Sequence, residues 1–286
     1  MLIIFNPAAG QRRAHRLWRV VDVMTANGMK LEIAETQSRG HATQLAREAA
    51  GAGHSLIVAA GGDGTVAEVA NGMAGSGARL GIIPLGTANV LAHELGLPFS
   101  ARAVAAALAF GRSRLVWPGE IVGQRLFVQM VGAGFDAQVV HHVPHWLKRG
   151  LGRYAYVAQS LRESWRYGFE PICLSLDGQA MQAASVIVTK GRLYGGNYVL
   201  APGTSPTEPG FGVMLFDRSG PAAALLYGAA LPLNLLPRMP GARLLRAREV
   251  AIVSAGVPAQ ADGDPAGEAP LLLRDASAPI ELVVGA

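Results

Sequence analysis

The sequence predicts an α/β domain with a parallel sheet over residues 1–118, followed by a mostly antiparallel β domain over residues 119–286. Strand and helix patterns alternate up to Pro118-Gly119, and such alternation is typical of a parallel sheet covered by helices on both faces. Beyond that point the apolar runs are short and separated by Gly, Pro and Asp turns, which indicates antiparallel strands. At 286 residues the chain is long enough for one or two domains with a sizeable core.

The first domain is predicted to contain strands at 2–5, 30–35, 55–60 and 79–84. Apolar residues at helical spacing predict helices over 12–27, 41–51, 65–74 and 88–95. Ser100 precedes the apolar stretch 101–110, so we expect it to cap one more helix. In the second domain the strand-like runs are 125–131, 171–176, 183–190, 197–201, 212–217, 249–254, 270–273 and 280–284.

The composition and the lengths of the apolar runs suggest in which compartment the protein is found and whether it could span a membrane. No apolar stretch is long enough to span a bilayer, and the sequence opens on a core strand, so we expect no signal peptide. The single cysteine, Cys173, lies in an apolar run and is predicted to be buried, in a reducing compartment. The net charge of +5 comes from 25 basic and 20 acidic residues, and nearly all the basic residues are arginines.

The run Gly61-Gly62-Asp63-Gly64-Thr65 lies between the apolar strand at 56–60 and the helical pattern that follows. Glycines allow the backbone to approach a bound anion, and the free N–H groups at a helix start attract phosphate oxygens. A carboxylate in such a loop would repel phosphate, so Asp63 suggests Mg²⁺ or proton transfer. A tight strand-to-helix turn is the structural alternative.

Two further strands end in small polar turns, namely Asn6-Pro7-Ala8-Ala9-Gly10 after 2–5 and Leu85-Gly86-Thr87-Ala88-Asn89 after 79–84. In open α/β sheets, ligands bind at the carboxyl ends of the strands. We therefore expect the three strand ends to converge on one ligand.

These motifs together resemble the diacylglycerol kinase catalytic-domain family, which includes bacterial lipid kinases and the sphingosine and ceramide kinases. The matching segments occur in the family's order and are 6–10, Thr36 with 40–42, 61–68, 84–89, 132–136, 194–196 with 201–202, and 262–264. The resemblance implies a Rossmann-like, NAD-kinase-like first domain and a β-rich lipid-acceptor domain, with the final strand returning to the first domain.

The resemblance assigns nucleotide binding to residues of the first domain: Asn6, Pro7, Ala8, Ala9, Gly10, Thr36, Gly61, Gly62, Asp63, Gly64, Thr65, Val66, Glu68, Thr87 and Asn89. One departure from the family is Val90, which stands where an acid commonly follows Asn89. The cofactors implied are ATP and Mg²⁺.

The predicted catalytic carboxylates are Asp264, Asp63 and Asp262. The family usually has Asp-Gly-Glu where this chain has Asp262-Gly263-Asp264, and the last carboxylate is the expected proton acceptor. Asp262 is the second candidate, and a plain Asp-Gly hairpin is the structural alternative. A structural Mg²⁺ site of bacterial relatives would fall on Ser205 and Glu208, but Gly212 cannot supply a carboxylate there.

Two stretches favour a membrane surface. Residues 145–167 interleave aromatic residues with basic ones, and the apolar run 222–236 is followed by four arginines. Such patterns suit an anionic membrane interface, although a packed helix with a solvated basic face explains them equally well.

The sequence thus predicts an ATP-dependent lipid kinase that phosphorylates diacylglycerol or a related lipid, such as a sphingoid base, ceramide or phosphatidylglycerol. A kinase of a soluble acceptor such as NAD, and a catalytically weak lipid- or nucleotide-binding protein, are the alternatives. We expect a lipid substrate, no nucleic-acid partner, a homodimer as one possible assembly, and a peripheral position at the cytoplasmic face of the membrane.

Overall fold

The computed structural model describes residues 1–9, 14–142, 159, 162–163 and 165–285. Gly10 and most of the basic aromatic stretch at 145–167, including Lys148, Arg149 and Arg153, lie outside these residues. The chain folds as two compact units. Unit 1 comprises Met1–Pro118 and Ala276–Ala286, and unit 2 comprises Gly119–Asp275.

Strands and helices follow one another in chain order. The strands are β1 (Leu2–Phe5), β2 (Glu32–Glu35), β3 (Leu56–Gly61), β4 (Arg79–Pro84), β5 (Ser113–Val116), β6 (Gly119–Ile121), β7 (Arg125–Phe127), β8 (Met130–Gly134), β9 (Ile172–Leu176), β10 (Gln179–Ala183), β11 (Ser185–Thr189), β12 (Leu193–Tyr194), β13 (Tyr198–Val199), β14 (Phe211–Phe216), β15 (Ala242–Ala247), β16 (Glu249–Ile252), β17 (Pro258–Ala261), β18 (Asp264–Glu268), β19 (Leu271–Asp275) and β20 (Ile280–Val283). The α-helices among the described residues are α1 (Ala14–Ala26), α2 (His41–Gly51), α3 (Asp63–Met73), α4 (Val90–Glu94), α5 (Ala101–Phe110), α6 (Phe135–His142) and α7 (Pro221–Ala230), with 3-10 turns at Pro7–Ala9 and Leu236–Arg238.

Unit 1 is built on a six-stranded sheet in the order β2-β1-β3-β4-β20-β5. The first four strands are parallel, and the pairs β1–β2, β1–β3 and β3–β4 are in register along their length. All six residues of β3 are buried, as expected for a strand covered by helices on both faces. Near the C-terminus β20 joins this sheet, parallel to β4 and antiparallel to β5.

The helices of unit 1 bury one side against the sheet. Leu17, Val20 and Met24 of α1 lie in the same core as Ile3 and Val58. Ser100 caps α5, because its hydroxyl accepts a hydrogen bond from the backbone N–H of Ala103.

Unit 2 contains two six-stranded antiparallel sheets, ordered β10-β9-β16-β19-β6-β7 and β15-β14-β11-β8-β17-β18. Alternate residues of both sheets form one core, for example Leu174 and Val250 from the first and Val131, Val186 and Val213 from the second. This arrangement confirms the predicted fold class, an α/β domain with a parallel sheet and an antiparallel β domain.

The prediction that Cys173 is buried is wrong, since its side chain is exposed. Residues along β9 alternate between the two faces of the sheet, and Ile172, Leu174 and Leu176 occupy the core face. Cys173 therefore points outward, where the Nε2 amide of Gln182 donates to its sulfur at 3.5 Å.

Candidate active site

The parallel strands of unit 1 bring Asn6 and the glycine-rich run 61–65 to one edge of the sheet. Chain order reverses between β1 and β3, because β2 lies outside β1 while β4 lies beyond β3. The crevice at the carboxyl ends of two such strands is where open α/β sheets bind ligands. Asn6 follows β1, and the glycine-rich loop follows β3.

A hydrogen bond joins the two sides of this crevice. The Nδ2 group of Asn6 donates to Oγ1 of Thr65 at 3.0 Å, and Thr65 is buried. The Asn6 backbone N–H donates to the carbonyl of Ala60 at 3.0 Å, and its Oδ1 accepts from the N–H of Ala8 at 3.0 Å. The side chain of Asn6 thereby fixes both the turn after β1 and the first turn of α3.

The glycine-rich loop enters α3 directly, since Gly62 precedes the first helical residue, Asp63. The loop packs closely on the turn after β4, where a Cβ added to Gly86 would clash with the Cα of Gly62. Any side chain at position 86 would force the two loops apart. The start of α3 leaves backbone N–H groups without an intrahelical acceptor, which is the arrangement that binds phosphate.

Asp63 connects this loop to the following one. Its Oδ1 accepts a hydrogen bond from the backbone N–H of Val90 at 2.7 Å, at the start of α4. Burial raises the pKa of Asp63, and the backbone N–H groups around it, Val90 first among them, lower it. Asn89 precedes α4 with a positive φ of 45°, and its Nδ2 donates to the carbonyl of Gly86 at 2.8 Å. The carboxylate thus lies between two ordered turns at the carboxyl edge of the sheet.

The remaining predicted nucleotide residues differ in their surroundings. Thr36 donates its backbone N–H to the carbonyl of Phe5 at 2.8 Å and is half-buried, whereas Thr87 is exposed. The side chain of Val66 is buried. The 3-10 turn contains Pro7, Ala8 and Ala9, while Gly61 ends β3 and Gly64 lies in the first turn of α3.

Glu68 binds the neighbouring helix. Its two carboxylate oxygens accept from the backbone N–H groups of Gly40 at 3.0 Å and Ala42 at 3.2 Å. Gly40 has φ 82° and caps α2 without a side chain of its own. Glu68 therefore supplies the acceptors that the start of α2 lacks, and holds α2 against α3.

In unit 2, the segment Asp262-Gly263-Asp264 forms the tight turn between β17 and β18. Asp262 is buried, and its two oxygens accept from three backbone N–H groups, Val128 at 2.9 Å, Gln129 at 2.8 Å and Met130 at 3.1 Å. Burial raises the pKa of Asp262 to about 6, against the lowering effect of these N–H groups and of Arg125. Asp264, at the start of β18, is half-buried. The turn thus contains one buried carboxylate, Asp262, that is hydrogen-bonded to the backbone, and a second, Asp264, that is partly exposed.

A polar cluster beside this turn had no assigned role in the sequence. Tyr194 donates its hydroxyl hydrogen to one oxygen of Asp136, and the Nε2 group of Gln260 donates to the other at 2.8 Å. Oε1 of Gln260 accepts from the N–H of Gly263 at 2.8 Å, which connects the cluster to the turn. Burial raises the pKa of Asp136, and the two hydrogen bonds lower it. Asp136 and Tyr194 lie in motifs that carry the family resemblance, but no sequence motif marks Gln260.

One of the two predicted structural metal residues, Glu208, contacts a buried lysine through its backbone carbonyl. The fully buried Lys190 directs its Nζ to the backbone carbonyls of Glu208 at 3.3 Å and Gly210 at 2.8 Å, and to Oδ1 of Asp275 at 2.5 Å. The Ser205 hydroxyl is hydrogen-bonded to that of Thr207 at 2.8 Å, and the side chain of Glu208 is exposed. The Lys190 ammonium contacts two backbone carbonyls and the Asp275 carboxylate, and not the side-chain oxygens of Ser205 or Glu208, so a structural Mg²⁺ at these two residues stays a prediction. Within the described part of the chain, no cluster of three or more His, Cys, Asp or Glu residues has metal-binding geometry.

Two family models match the chain. Residues 1–121 match the "Diacylglycerol kinase catalytic domain", and residues 129–284 match the "YegS C-terminal NAD kinase beta sandwich-like domain". The second match alone covers more than half of the chain.

Relatives and solved structures agree with these matches. The chain is 33% identical to the "Diacylglycerol kinase" of Bacillus subtilis (strain 168), over 76% of this chain and 73% of that protein. It is 34% identical to a Pseudomonas fluorescens protein named "Probable lipid kinase YegS-like", over 64% of this chain and 62% of that one, so less than two thirds of the latter is matched. A crystal structure described as a diacylglycerol kinase from Bacillus anthracis str. Sterne superposes with a TM-score of 0.73 at 21% identity, covering 99% of this chain and 96% of that one, which establishes the fold.

The predicted family resemblance is therefore confirmed. The chain belongs to the diacylglycerol kinase catalytic-domain family and is a lipid kinase.

Proposed function

We propose that this protein transfers the γ-phosphoryl group of ATP, in the presence of Mg²⁺, to the hydroxyl of diacylglycerol or a related lipid. The observation that carries the proposal is the crevice between β1 and β3, where Asn6 bonds to Thr65 beside the glycine-rich loop in a chain of this family. Phosphoryl transfer depends mainly on positioning and charge stabilisation, and this edge would provide both.

The nucleotide would bind at unit 1. Its phosphates would lie against the backbone of Gly61, Gly62 and Gly64 and the start of α3, where N–H groups favour negative charge. Asn6 would hold the turn after β1 in place through its bond to Thr65. Residues of the other two strand ends, Thr36 and Thr87 among them, would contact the rest of the nucleotide.

Asp63 is the residue that fits a metal ion carried by the nucleotide. Magnesium in kinases is held by one or two carboxylates together with substrate phosphates, and Asp63 is the carboxylate within the phosphate loop. When bound, the ion would neutralise charge on the transferred phosphoryl group. The bond from Val90 would keep the Asp63 carboxylate oriented.

We assign the role of general base, which removes the proton of the lipid hydroxyl, to Asp264 rather than Asp262. Both oxygens of Asp262 already accept backbone hydrogen bonds, so this residue maintains the turn. Asp264 is accessible, and a general base must come within roughly 2.6–3.2 Å of the hydroxyl that it deprotonates. The network from Tyr194 through Asp136 and Gln260 would hold the turn that presents Asp264.

A lipid acceptor requires access to a bilayer. No helix within the described ranges is long and apolar enough to cross a membrane. On the strength of the basic and apolar stretches of the sequence, we propose peripheral binding at the cytoplasmic face of the membrane.

The test is an acceptor screen with the purified chain. Radiolabelled ATP and Mg²⁺ are incubated with a total bacterial lipid extract, with or without NAD, and the labelled product is identified by mass spectrometry. We expect label in a phospholipid with wild-type protein and none with Asp63→Asn. Label in NADP without any labelled lipid would overturn the proposal in favour of a soluble acceptor.

A further inference from the structure

An apolar surface of unit 2 has no role in the site described above. It comprises the outer side of α7 and the turn that follows, and we call it the leucine face. Four leucines dominate it, namely Leu225, Leu226, Leu233 and Leu235, with exposed fractions of 43%, 40%, 67% and 42%. Ala222, Gly228, Ala229 and Pro232 are the other exposed residues of this segment that lack a polar side chain.

The inner side of α7 packs against the second sheet of unit 2. Ala223, Tyr227 and Ala230 join a core with Met214 and Phe216 on the outer side of the second sheet. The Tyr227 hydroxyl donates to the carbonyl of Pro240 at 3.1 Å. Asn234 holds the following turn, because its Oδ1 accepts from the N–H of Val199 at 2.7 Å.

A helix on the surface of a soluble protein normally buries one apolar stripe and exposes a polar one. In α7 both sides are apolar, since the exposed residues are Ala, Leu and Gly. The remaining exposed hydrophobic residues among those described, such as Phe110, Val122 and Val253, are scattered over other elements, which is ordinary for a protein surface. The four leucines of the leucine face instead lie together on one helix and the turn after it. We therefore expect a membrane or another molecule to cover them.

The charges around this face indicate what kind of surface covers it. Residues 218–248 contain five arginines and no Asp or Glu. Arg218 and Arg238, which flank the face in the sequence, are exposed. Arg243 is paired with Asp217, at 2.7 Å. An apolar surface flanked by basic side chains is complementary to an anionic bilayer, where leucines enter the acyl boundary and arginines remain at the headgroups.

We propose that the leucine face is the membrane-docking surface of this protein, and that its occupant is an anionic lipid bilayer. The inference rests on the proposed function in one respect, namely that a lipid kinase must meet its acceptor at a membrane. A second copy of the chain is a poorer occupant, because two such faces would bring like-charged arginines together.

The first test measures binding to vesicles. The double variant Leu225→Gln/Leu233→Gln is compared with Val253→Gln, a matched change at an exposed apolar residue of the same unit, 58% exposed. Co-sedimentation uses phosphatidylcholine vesicles with and without phosphatidylglycerol. We expect the double variant to bind about tenfold more weakly, since each leucine loses apolar burial. Arg238→Gln should weaken binding by about fivefold, and only when phosphatidylglycerol is present.

The second test reports contact directly and needs no catalysis. In a Cys173→Ser background, an environment-sensitive fluorophore is attached to Leu233→Cys or, as the control, to Val253→Cys. We expect vesicles to blue-shift the probe at position 233 and spin-labelled acyl chains to quench it, with little change at position 253. An unchanged probe at 233, or a concentration-dependent dimer that the double variant abolishes, would overturn the inference.

Activity assays on the double variant separate this inference from the proposed kinase activity. Phosphorylation of lipid in detergent micelles should persist in the double variant, while turnover on vesicles falls with binding. A protein that docks through the leucine face but phosphorylates no lipid would contradict the kinase proposal alone. Vesicle turnover that is unaffected by the double variant would contradict the docking surface alone.

Discussion

The two carboxylates of the turn between β17 and β18 should respond in opposite ways to the same substitution. Asp262 accepts three backbone hydrogen bonds through two oxygens. In Asp262→Asn, one oxygen can still serve Gln129 and Met130, but the new amide group faces the N–H of Val128. The change removes a hydrogen bond to a charged group and leaves a buried donor unpaired, which together cost about 3 kcal/mol.

This loss should be visible as a lower thermal midpoint. At roughly 2–4 °C per kcal/mol for a domain of 150–250 residues, Asp262→Asn should melt about 6–12 °C below wild type. Its kcat, measured well below that temperature and per folded molecule, should stay within a few-fold of wild type. Circular dichroism melts and a lipid-kinase assay measure the two quantities on the same preparation.

Asp264→Asn is the matched control, because it makes the same chemical change two residues away. We expect its thermal midpoint to change little and its kcat to fall by roughly 10²–10⁴-fold, the usual contribution of a general base. Asp264→Glu should retain activity, since it keeps the carboxylate. A stable but inactive Asp262→Asn alongside an active Asp264→Asn would refute this division of roles.

Three further substitutions test other parts of the account. Asp63→Asn should abolish phosphoryl transfer while the melting temperature stays near that of wild type, because the amide oxygen can still accept from Val90 and only the charge is lost; activity within a few-fold of wild type would remove Asp63 from the mechanism. Glu68→Gln should lower the free energy of unfolding by about 1–3 kcal/mol, since one N–H at the start of α2 loses its acceptor, and ATP affinity measured by calorimetry should remain unchanged. Lys190→Met should destabilise the protein by about 3–5 kcal/mol in a denaturant titration, because the carboxylate of Asp275 loses its buried partner. Equal stability of Lys190→Met and wild type would show that the Lys190–Asp275 pair contributes nothing to stability.

Much of unit 1 could be predicted from the sequence because its signals are local. The strands at 2–5 and 79–84 and the helices at 41–51 and 101–110 match the observed bounds. Ser100 is also the observed cap of α5. Each of these elements depends on periodicity and capping within a few residues, which a single sequence contains.

Long-range partners could not be predicted in this way. Nothing near Asp262 in the sequence indicates that its carboxylate binds the backbone at 128–130, and nothing near Glu68 indicates the start of α2. The exposure of Cys173 also depends on which face of β9 meets the core, and an apolar neighbourhood does not distinguish the two faces. Such interactions are set by strand pairing and helix packing between distant segments.

We propose that this chain phosphorylates a lipid hydroxyl with Asp264 as the general base. The most direct measurement is the initial rate of phosphate transfer from radiolabelled ATP to diacylglycerol in mixed micelles and, separately, to NAD, for wild type and Asp264→Asn. We predict label in the lipid with wild type, a loss of roughly 10²–10⁴-fold in the variant, and no label in the nucleotide acceptor. Transfer to NAD without transfer to lipid, or an unchanged rate in the variant, would contradict the account.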